Sequence, residues 1–465
     1  MYFAQHYLDC LSQASYIIGD ESSGRAVLVD PRRDIDDYLE DAATHGLAIE
    51  GVINTHFHAD FLAGHLEVAR ATGAWIGYGS AAQPDYAIRA LGDRQRIELG
   101  GPHGVALQIL HTPGHTPESI SVLVFEHADD EVPYGVLTGD GLFIGDVGRP
   151  DLLASVGLSA GQLAGMLYDS IHDKLMSLPD EVRVFPAHGA GSSCGKNLST
   201  ETQSTIGEQR RSNYACQPMS KEQFVALVTD DQPLMPEYFG YDAVLNQRLH
   251  QTWEGAQPQT VDFVELCAAV RAGAVILDSR DAIDYAAGHL RGSVSVPLDG
   301  RFAETVGMLL QPEQDIVIIT PEGHAVETAT RLARIGFDRV VGHLSGIERV
   351  LIEVDDSYVG QASRLTPAAL DAVIGDDTGG VLLVDVRNPG ELETGEIPGA
   401  HHVPLPALRR RLAEVRRDGP IVLYCAGGWR SAVAASYLRS QGYSDVSDMI
   451  GGYEGWLAHH KQLTR

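Results

Sequence analysis

The sequence predicts an α/β protein in three parts, and three observations predict it. Short β-rich apolar runs alternate with stretches of helical periodicity along the chain. In the first half, four of those runs deliver histidine or aspartate at their ends. The second half holds an internal repeat of roughly 105 residues, too long for a solenoid unit and right for a duplicated domain.

Composition sets limits on the answer. With 465 residues the chain exceeds one ordinary core, and 44% hydrophobic residues allow several. The balance is acidic, 63 Asp+Glu against 34 Lys+Arg, for a net charge of -29. Such a field repels a phosphate backbone, so nucleic acid is excluded as a partner. Cys10, Cys194, Cys216, Cys267 and Cys425 are few, odd in number and widely spaced, which points to free thiols in a reducing compartment. The start, MYFAQHYLDCLSQASYIIGD, has neither a basic region nor a long apolar run, so no secretory signal is expected. No 18 consecutive apolar residues occur, so no membrane span is expected, and the expected location is the cytoplasm.

Taken in order, RAVLVDP predicts a strand ending in a turn, and IEGVINTHFHADFLAGH a strand, a His-rich turn and a helix start. VALQILHTPGHTPESISVLVFE predicts strand, turn and strand. YGVLTGDGLF is a strand delivering an aspartate, and DEVRVFPAHGAG a last strand and turn. The pattern then loosens, and residues 241–258 are expected to be a linker with some helix. In the repeat, AGAVILDSRDAIDYAAGHLRGSVSVPL matches GGVLLVDVRNPGELETGEIPGAHHVPL, and DIVIITPEGHAVETATRLARIGF matches PIVLYCAGGWRSAVAASYLRSQGY. Each copy predicts a compact parallel α/β unit. The expected domains are 1–240, 259–356 and 364–465.

His56, His58, Asp60, His115, Asp140 and His188 all follow predicted strands, so one sheet edge could present them to a single point. Imidazole and carboxylate converging without a structural cysteine set suit Zn, Fe or Mn. His65, His103 and His111 read as core or capping residues. The cadence THxHxD, HTPGHT, TGD and PAHG resembles the metallo-β-lactamase superfamily, which implies an αββα sandwich. In dinuclear zinc hydrolases of that superfamily the turn ends Asp-His, whereas here Phe61 follows Asp60 and cannot ligate anything. That departure favours one metal ion over two.

The one-metal pattern resembles the persulfide dioxygenases of the same superfamily, which oxidise a thiol-bound persulfide to sulfite. The resemblance implies one Fe(II) per chain held by His56, His115 and Asp140, a 2-His-1-carboxylate triad with open positions for substrate and dioxygen. His58, Asp60 and His188 then orient the ligands by hydrogen bonds. GRPDL, with Arg149 and Asp151, resembles the segment after the family's metal aspartate, so Arg149 either meets a carboxylate of the thiol carrier or makes a plain surface salt bridge. GAGSSCGKN resembles segments of dioxygenases fused to rhodaneses. Its Gly-rich loop is expected to lower the thiol pKa of Cys194, which reads equally as a substrate-handling thiol or as a half-buried apolar side chain.

In the last copy, Cys425 lies between a strand end and a helix N-terminus, where unpaired amides and the charge of Arg430 favour a thiolate. This resembles the rhodanese active loop. Cysteine-dependent phosphatases place five residues between Cys and Arg; here four intervene, which suits a sulfur atom. Asp385 and Arg387 read as structural pairing residues. In the middle copy Thr320 takes the cysteine position, followed by Pro321 and Glu322, and this copy is expected to be inactive. The whole arrangement resembles bacterial persulfide dioxygenase–rhodanese fusions of sulfide detoxification. It implies oxidation of a low-molecular-weight thiol persulfide by O2 to sulfite, coupled to sulfur transfer through Cys425 giving thiosulfate. The rival readings are a dinuclear-zinc thioester hydrolase of the glyoxalase II type fused to a sulfurtransferase, and a non-enzymatic sulfur relay acting through Cys425. Homo-oligomer formation is left open.

Overall fold

The computed structural model describes residues 1–152, 157–196, 198–230, 232, 234–255, 257–375 and 380–463. The chain divides into two compact units, Met1–Glu254 with Arg334–Gly336, and Gly255–Ala333 with Phe337–Arg465.

Unit 1 is built on two six-stranded sheets. The first runs in order through β1 (Tyr2–Leu8), β2 (Gln13–Asp20), β3 (Arg25–Val29), β4 (Ala48–Ile53), β5 (Trp75–Gly79) and β6 (Arg89–Leu91). The second contains β7 (Arg96–Glu98), β8 (Ala106–His111), β9 (Ile120–Phe125), β10 (Gly135–Gly139), β11 (Arg183–Pro186) and β12 (Ser204–Thr205). Because side chains alternate along a strand, β2 serves two cores. Tyr16 and Ile18 point between the sheets, with Val27, Val29, Leu107, Ile109, Val122, Val124 and Phe185. Ile17 faces the other way, toward Tyr38, Leu66 and Val68 of the covering helices. The second sheet does the same with Val136 and Val184 against Leu167, Ile171 and Phe224. These layers make the αββα sandwich of the sequence resemblance.

The segment expected as a linker is largely anchored in this unit. Residues 241–254 cluster with it, and the helix Tyr238–Leu245 leads into Asn246, which is fully buried. Asn246 donates to the carbonyls of His58 (2.7 Å) and Phe61 (2.9 Å) and accepts from the amide of Ala63 (2.9 Å). A polar side chain buried this deeply needs those partners, so its position is set by the His-rich turn.

Unit 2 contains the duplicated copies, and both sheets are parallel throughout. The first has order β13-β18-β17-β14-β16, made of β13 (Thr260–Val261), β14 (Val275–Asp278), β16 (Val294–Ser295), β17 (Ile316–Ile319) and β18 (Val340–Leu344). A small ladder joins β15 (His289–Leu290) to β19 (Val359–Gly360). The last copy repeats the order as β20-β24-β23-β21-β22, made of β20 (Ser363–Leu365), β21 (Leu382–Asp385), β22 (His401–His402), β23 (Ile421–Tyr424) and β24 (Val446–Met449). Asp278 with Arg280 (2.7 Å) and Asp385 with Arg387 (2.6 Å) form equivalent buried ion pairs at the ends of β14 and β21. Among the described residues no helix is long and apolar enough to cross a membrane.

Candidate metal centre and cysteine loop

The six donors named from the sequence meet at one end of the sandwich of unit 1. His56 and His58 follow β4, His115 lies in the loop between β8 and β9, Asp140 follows β10, and His188 follows β11. All are at least nine-tenths buried. Two three-donor groups result, His56–His115–Asp140 and His58–Asp60–His188, each with its ligand atoms within 4.8 Å of one another. Asp140 Oδ2 lies 3.5 Å from His115 Nε2 and 3.8 Å from His56 Nε2, and Asp140 Oδ1 lies 3.6 Å from His188 Nε2. Among the described residues, both Asp140 oxygens, His188 Nε2, His58 Nδ1 and Asp60 Oδ1 have no hydrogen-bond partner. Buried polar atoms left this way are costly in an empty protein, and nitrogen with carboxylate oxygen is a donor set for Fe, Zn or Mn. The residues therefore fit a cation.

The far sides of the rings are fixed by the backbone around them. His56 Nδ1 lies 3.0 Å from Thr55 Oγ1, His115 Nδ1 lies 2.9 Å from the Arg149 carbonyl, and His188 Nδ1 lies 3.2 Å from the Ser12 carbonyl. Such partners set which nitrogen faces the metal. Burial, then the neighbouring rings of His58, His115 and His188, holds the His56 pKa well below the usual range and keeps the ring neutral. Burial opposes a charge on His58, but Asp30, with Asp60 and Asp140 behind it, more than offsets this and raises that pKa. Gly148 passes so close to Asp140 that a Cβ there would sit 1.9 Å from the Asp140 carbonyl oxygen.

Asp30 and Glu118 escaped sequence reasoning. Asp30 accepts from the Thr55 amide (2.7 Å) and hydroxyl (2.9 Å) and contacts His58 Nε2 at 3.0 Å. Glu118 accepts from the Phe57 amide at 3.0 Å. The signal for Asp30 was its place at a strand end in RAVLVDP, the same position that singled out Asp140. His65 is fully buried and belongs to neither donor group, and His103 is exposed. His111 contacts the Leu91 carbonyl at 2.8 Å, as a loop-fixing residue would.

Cys194 is buried and groups with Asp140 and His188. Burial, then Asp60 and Asp140, pushes its pKa well up, opposite to the lowering expected from the Gly-rich loop. The difference arises because the thiol is fully buried and faces two carboxylates, which one-dimensional spacing did not reveal. Of that segment, Asn197 lies outside the described residues. Arg149 pairs with Asp151 through Nε and Nη2, both at 2.7 Å, and donates from Nη1 to the Ser193 carbonyl at 3.3 Å. Its own amide bonds the Cys194 carbonyl at 3.0 Å. The pair joins a buried guanidinium to a partly exposed carboxylate, and through the Arg149 backbone it ties the Cys194 loop to His115.

In unit 2, Cys425 follows β23 and is buried. The helix Trp429–Ser440 begins just beyond it, capped by Gly428 at φ 98°, a left-handed conformation that favours glycine. The Gly428 amide points at Cys425 Sγ from 3.1 Å, and Ser431 Oγ lies 3.6 Å from the sulfur. Arg430 makes a bidentate pair with Glu391, 2.6 Å at both contacts. Burial disfavours the Arg430 charge, but Glu391 and then Cys425 more than offset this and raise its pKa. Glu391 thus fixes the guanidinium in place. In the middle copy Thr320 turns its hydroxyl onto the Pro321 carbonyl at 2.9 Å, and Ala325 opens the helix where Arg430 stands in the last copy.

Comparison with known proteins follows the same division. Residues 8–188 match the metallo-beta-lactamase superfamily, and residues 263–348 and 366–459 each match the rhodanese-like domain. The chain is 29% identical over 244 residues to the mitochondrial persulfide dioxygenase of Homo sapiens, covering 50% of this chain and 83% of that protein. It is 42% identical over 83 residues to a sulfurtransferase of Allochromatium vinosum, covering 18% of this chain and 78% of that protein. A crystal structure of a metallo-beta-lactamase from Staphylococcus aureus superposes with a TM-score of 0.66 at 32% identity, covering 74% of this chain and 98% of that one. The chain belongs to the metallo-β-lactamase superfamily through its first domain and carries two rhodanese-like domains behind it.

Proposed function

We propose that the protein oxidises a low-molecular-weight thiol persulfide with O2 to sulfite in unit 1 and transfers sulfane sulfur through Cys425 in unit 2, giving thiosulfate. In the first reaction RSSH, O2 and water give RSH, sulfite and two protons. In the second, the Cys425 thiolate takes the outer sulfur of another RSSH, RSH leaves with the proton, and the Cys425 persulfide passes that sulfur to sulfite as the cysteine thiolate leaves. The observation that carries the reading is the buried His56–His115–Asp140 group, in which both Asp140 oxygens have no hydrogen-bond partner among the described residues, in a chain that also bears the Cys425 loop. Likeness to proteins named persulfide dioxygenase and sulfurtransferase supports it.

One Fe(II), held by His56, His115 and Asp140, would supply dioxygen activation at a face left open by three protein ligands. The chain's own part is orientation. Thr55 and the Arg149 carbonyl hold the two rings, and Arg149 and Ser192 hold the Cys194 backbone beside them. On this reading His58, Asp60 and His188 would orient the ligands by hydrogen bonds, and Cys194 would meet the persulfide. At Cys425 the Gly428 amide and Arg430 stabilise negative charge on sulfur, and the same field suits a persulfide anion. Free cysteines throughout fit a cytoplasmic location.

A second reading is favoured by the His58–Asp60–His188 group, which offers three donors for another ion and would suit a dinuclear zinc hydrolase. The deciding experiment uses anaerobically purified, iron-loaded protein. Oxygen uptake is measured with glutathione persulfide and coenzyme A persulfide, and sulfite and thiosulfate are quantified. Persulfide-dependent uptake yielding both products is expected; thioester hydrolysis with no uptake would overturn the proposal.

A further inference from the structure

We infer that the middle copy, which has no cysteine of its own in the loop, supplies a positioning residue, Asp299, to the sulfur-transfer loop of the last copy. The inference rests on Cys425 being the sulfur carrier. Trp429 stands in that loop between Gly428 and Arg430, and its indole N–H donates to Asp299 Oδ1 at 3.2 Å.

The turn that presents Asp299 is held in place. Arg331, a buried side chain of the middle copy, donates to the Leu298 carbonyl and to the Gly300 carbonyl (2.8 Å), and stacks over Phe302 at 5.5 Å. A buried arginine spent on two carbonyls of a surface turn fixes the residue between them. The last copy lacks this turn: where the middle copy reads VPLDGR, the last reads VPLPAL and passes into the short helix Leu405–Leu408.

A second attachment acts on the same helix. Ser436 lies two turns beyond Trp429. Its hydroxyl donates to the Val433 carbonyl of its own helix at 2.7 Å and accepts from the Ser295 amide at 2.9 Å, with both serines buried. The helix that aims its N-terminal amides at Cys425 is thus tied to the middle copy at its first residue and again near its middle. Ala426, Gly427 and Gly428 precede it, and a loop with two adjacent glycines loses much conformational entropy when ordered. Fixing the indole next to Gly428 restricts that freedom and keeps the Gly428 amide on the sulfur.

The test uses full-length Asp299→Ala, Asp299→Asn and Trp429→Phe variants. Thiosulfate:cyanide sulfur transfer gives kcat and KM, and mass spectrometry of the Cys425 peptide follows alkylation by iodoacetamide against pH. For Asp299→Ala we expect kcat to fall about fivefold and the Cys425 alkylation profile to move to higher pH, with the melting temperature unchanged. Asp299→Asn, which still offers an oxygen acceptor, should behave as the unmodified protein. Trp429→Phe should reproduce the loss, and adding Asp299→Ala to it should cost nothing more. Normal kcat and an unshifted profile in Asp299→Ala overturn the inference, as do losses that add in the double variant. A Cys425→Ser control separates the two failures. If that variant still transfers sulfur, the carrier assignment is wrong; if it is dead while Asp299→Ala is normal, only the positioning role falls.

Discussion

Phe61 packs against the His58 ring with 4.4 Å between ring centroids, and it is fully buried. An apolar ring therefore occupies the position directly after Asp60, where a dinuclear site of this superfamily would place a ligand. His58 is held on its other side by Asp30.

Unmodified protein should accordingly bind one iron per chain, measured by elemental analysis after anaerobic loading. Asp140→Ala should lose the iron and oxygen uptake together. Phe61→His adds a nitrogen donor beside His58 and Asp60 and should raise the capacity toward two zinc ions. Two stoichiometric zinc ions in active unmodified protein would overturn the one-ion reading.

Asp30 is a sensitive point because it combines a role in backbone geometry with one in orientation. Its φ of 50° is the left-handed conformation that Asn and Asp tolerate better than Ala. Asp30→Ala should weaken iron binding by roughly 10- to 100-fold through loss of the Thr55 and His58 contacts. Asp30→Asn keeps the backbone and the acceptor for the Thr55 amide, so it should lose less. Metal competition titrations of the two variants give the comparison, and equal affinity in both and in the unmodified protein would remove Asp30 from the centre.

The two chemistries should separate by mutation. Cys425→Ser keeps the loop shape but cannot form a persulfide, so thiosulfate should vanish while sulfite accumulates from persulfide and oxygen. Adding Thr320→Cys should not restore transfer. Pro321 removes an amide that the last copy's loop can offer, and no arginine stands at Ala325. Ion chromatography of both anions tests each statement, and thiosulfate at the normal rate in Cys425→Ser would direct attention to Cys194.

His65 should govern part of the acid limb of stability. It is fully buried, neither ring nitrogen has a hydrogen-bond partner among the described residues, and burial followed by His250 pushes its pKa down to about 3. The unfolded histidine titrates near 6.5, so between these values the unfolded chain binds the extra proton. The contribution is complete above pH 6.5 and is lost as pH falls toward 3. His65→Phe should abolish a loss of about 3 kcal/mol between pH 6.5 and 4. Urea unfolding at both pH values measures it, and parallel losses in the two proteins would contradict the assignment.

Much of this protein is present in local sequence. Alternating apolar runs specify the strands because strand side chains alternate between faces, and the strand-end clusters THFHAD, HTPGHT, TGD and PAHG name the metal donors because strand ends are where a sheet exposes residues. The repeat around Asp278 and Asp385 exposes the duplication, since both copies place the same ion pair at the same strand end. What required the tertiary structure were relationships between residues far apart in the chain. The buried bond from Asn246 to the His58 turn crosses 188 positions, so no local pattern in the segment read as a linker could reveal it. Burial of Cys194, and then the carboxylates of Asp60 and Asp140, reverse the pKa direction inferred from its glycines, because both depend on what packs around the thiol in space. Glu391 reaches Arg430, and Asp299 reaches Trp429, across 39 and 130 positions. Local sequence determined which groups could do chemistry, and packing decided what each one faces.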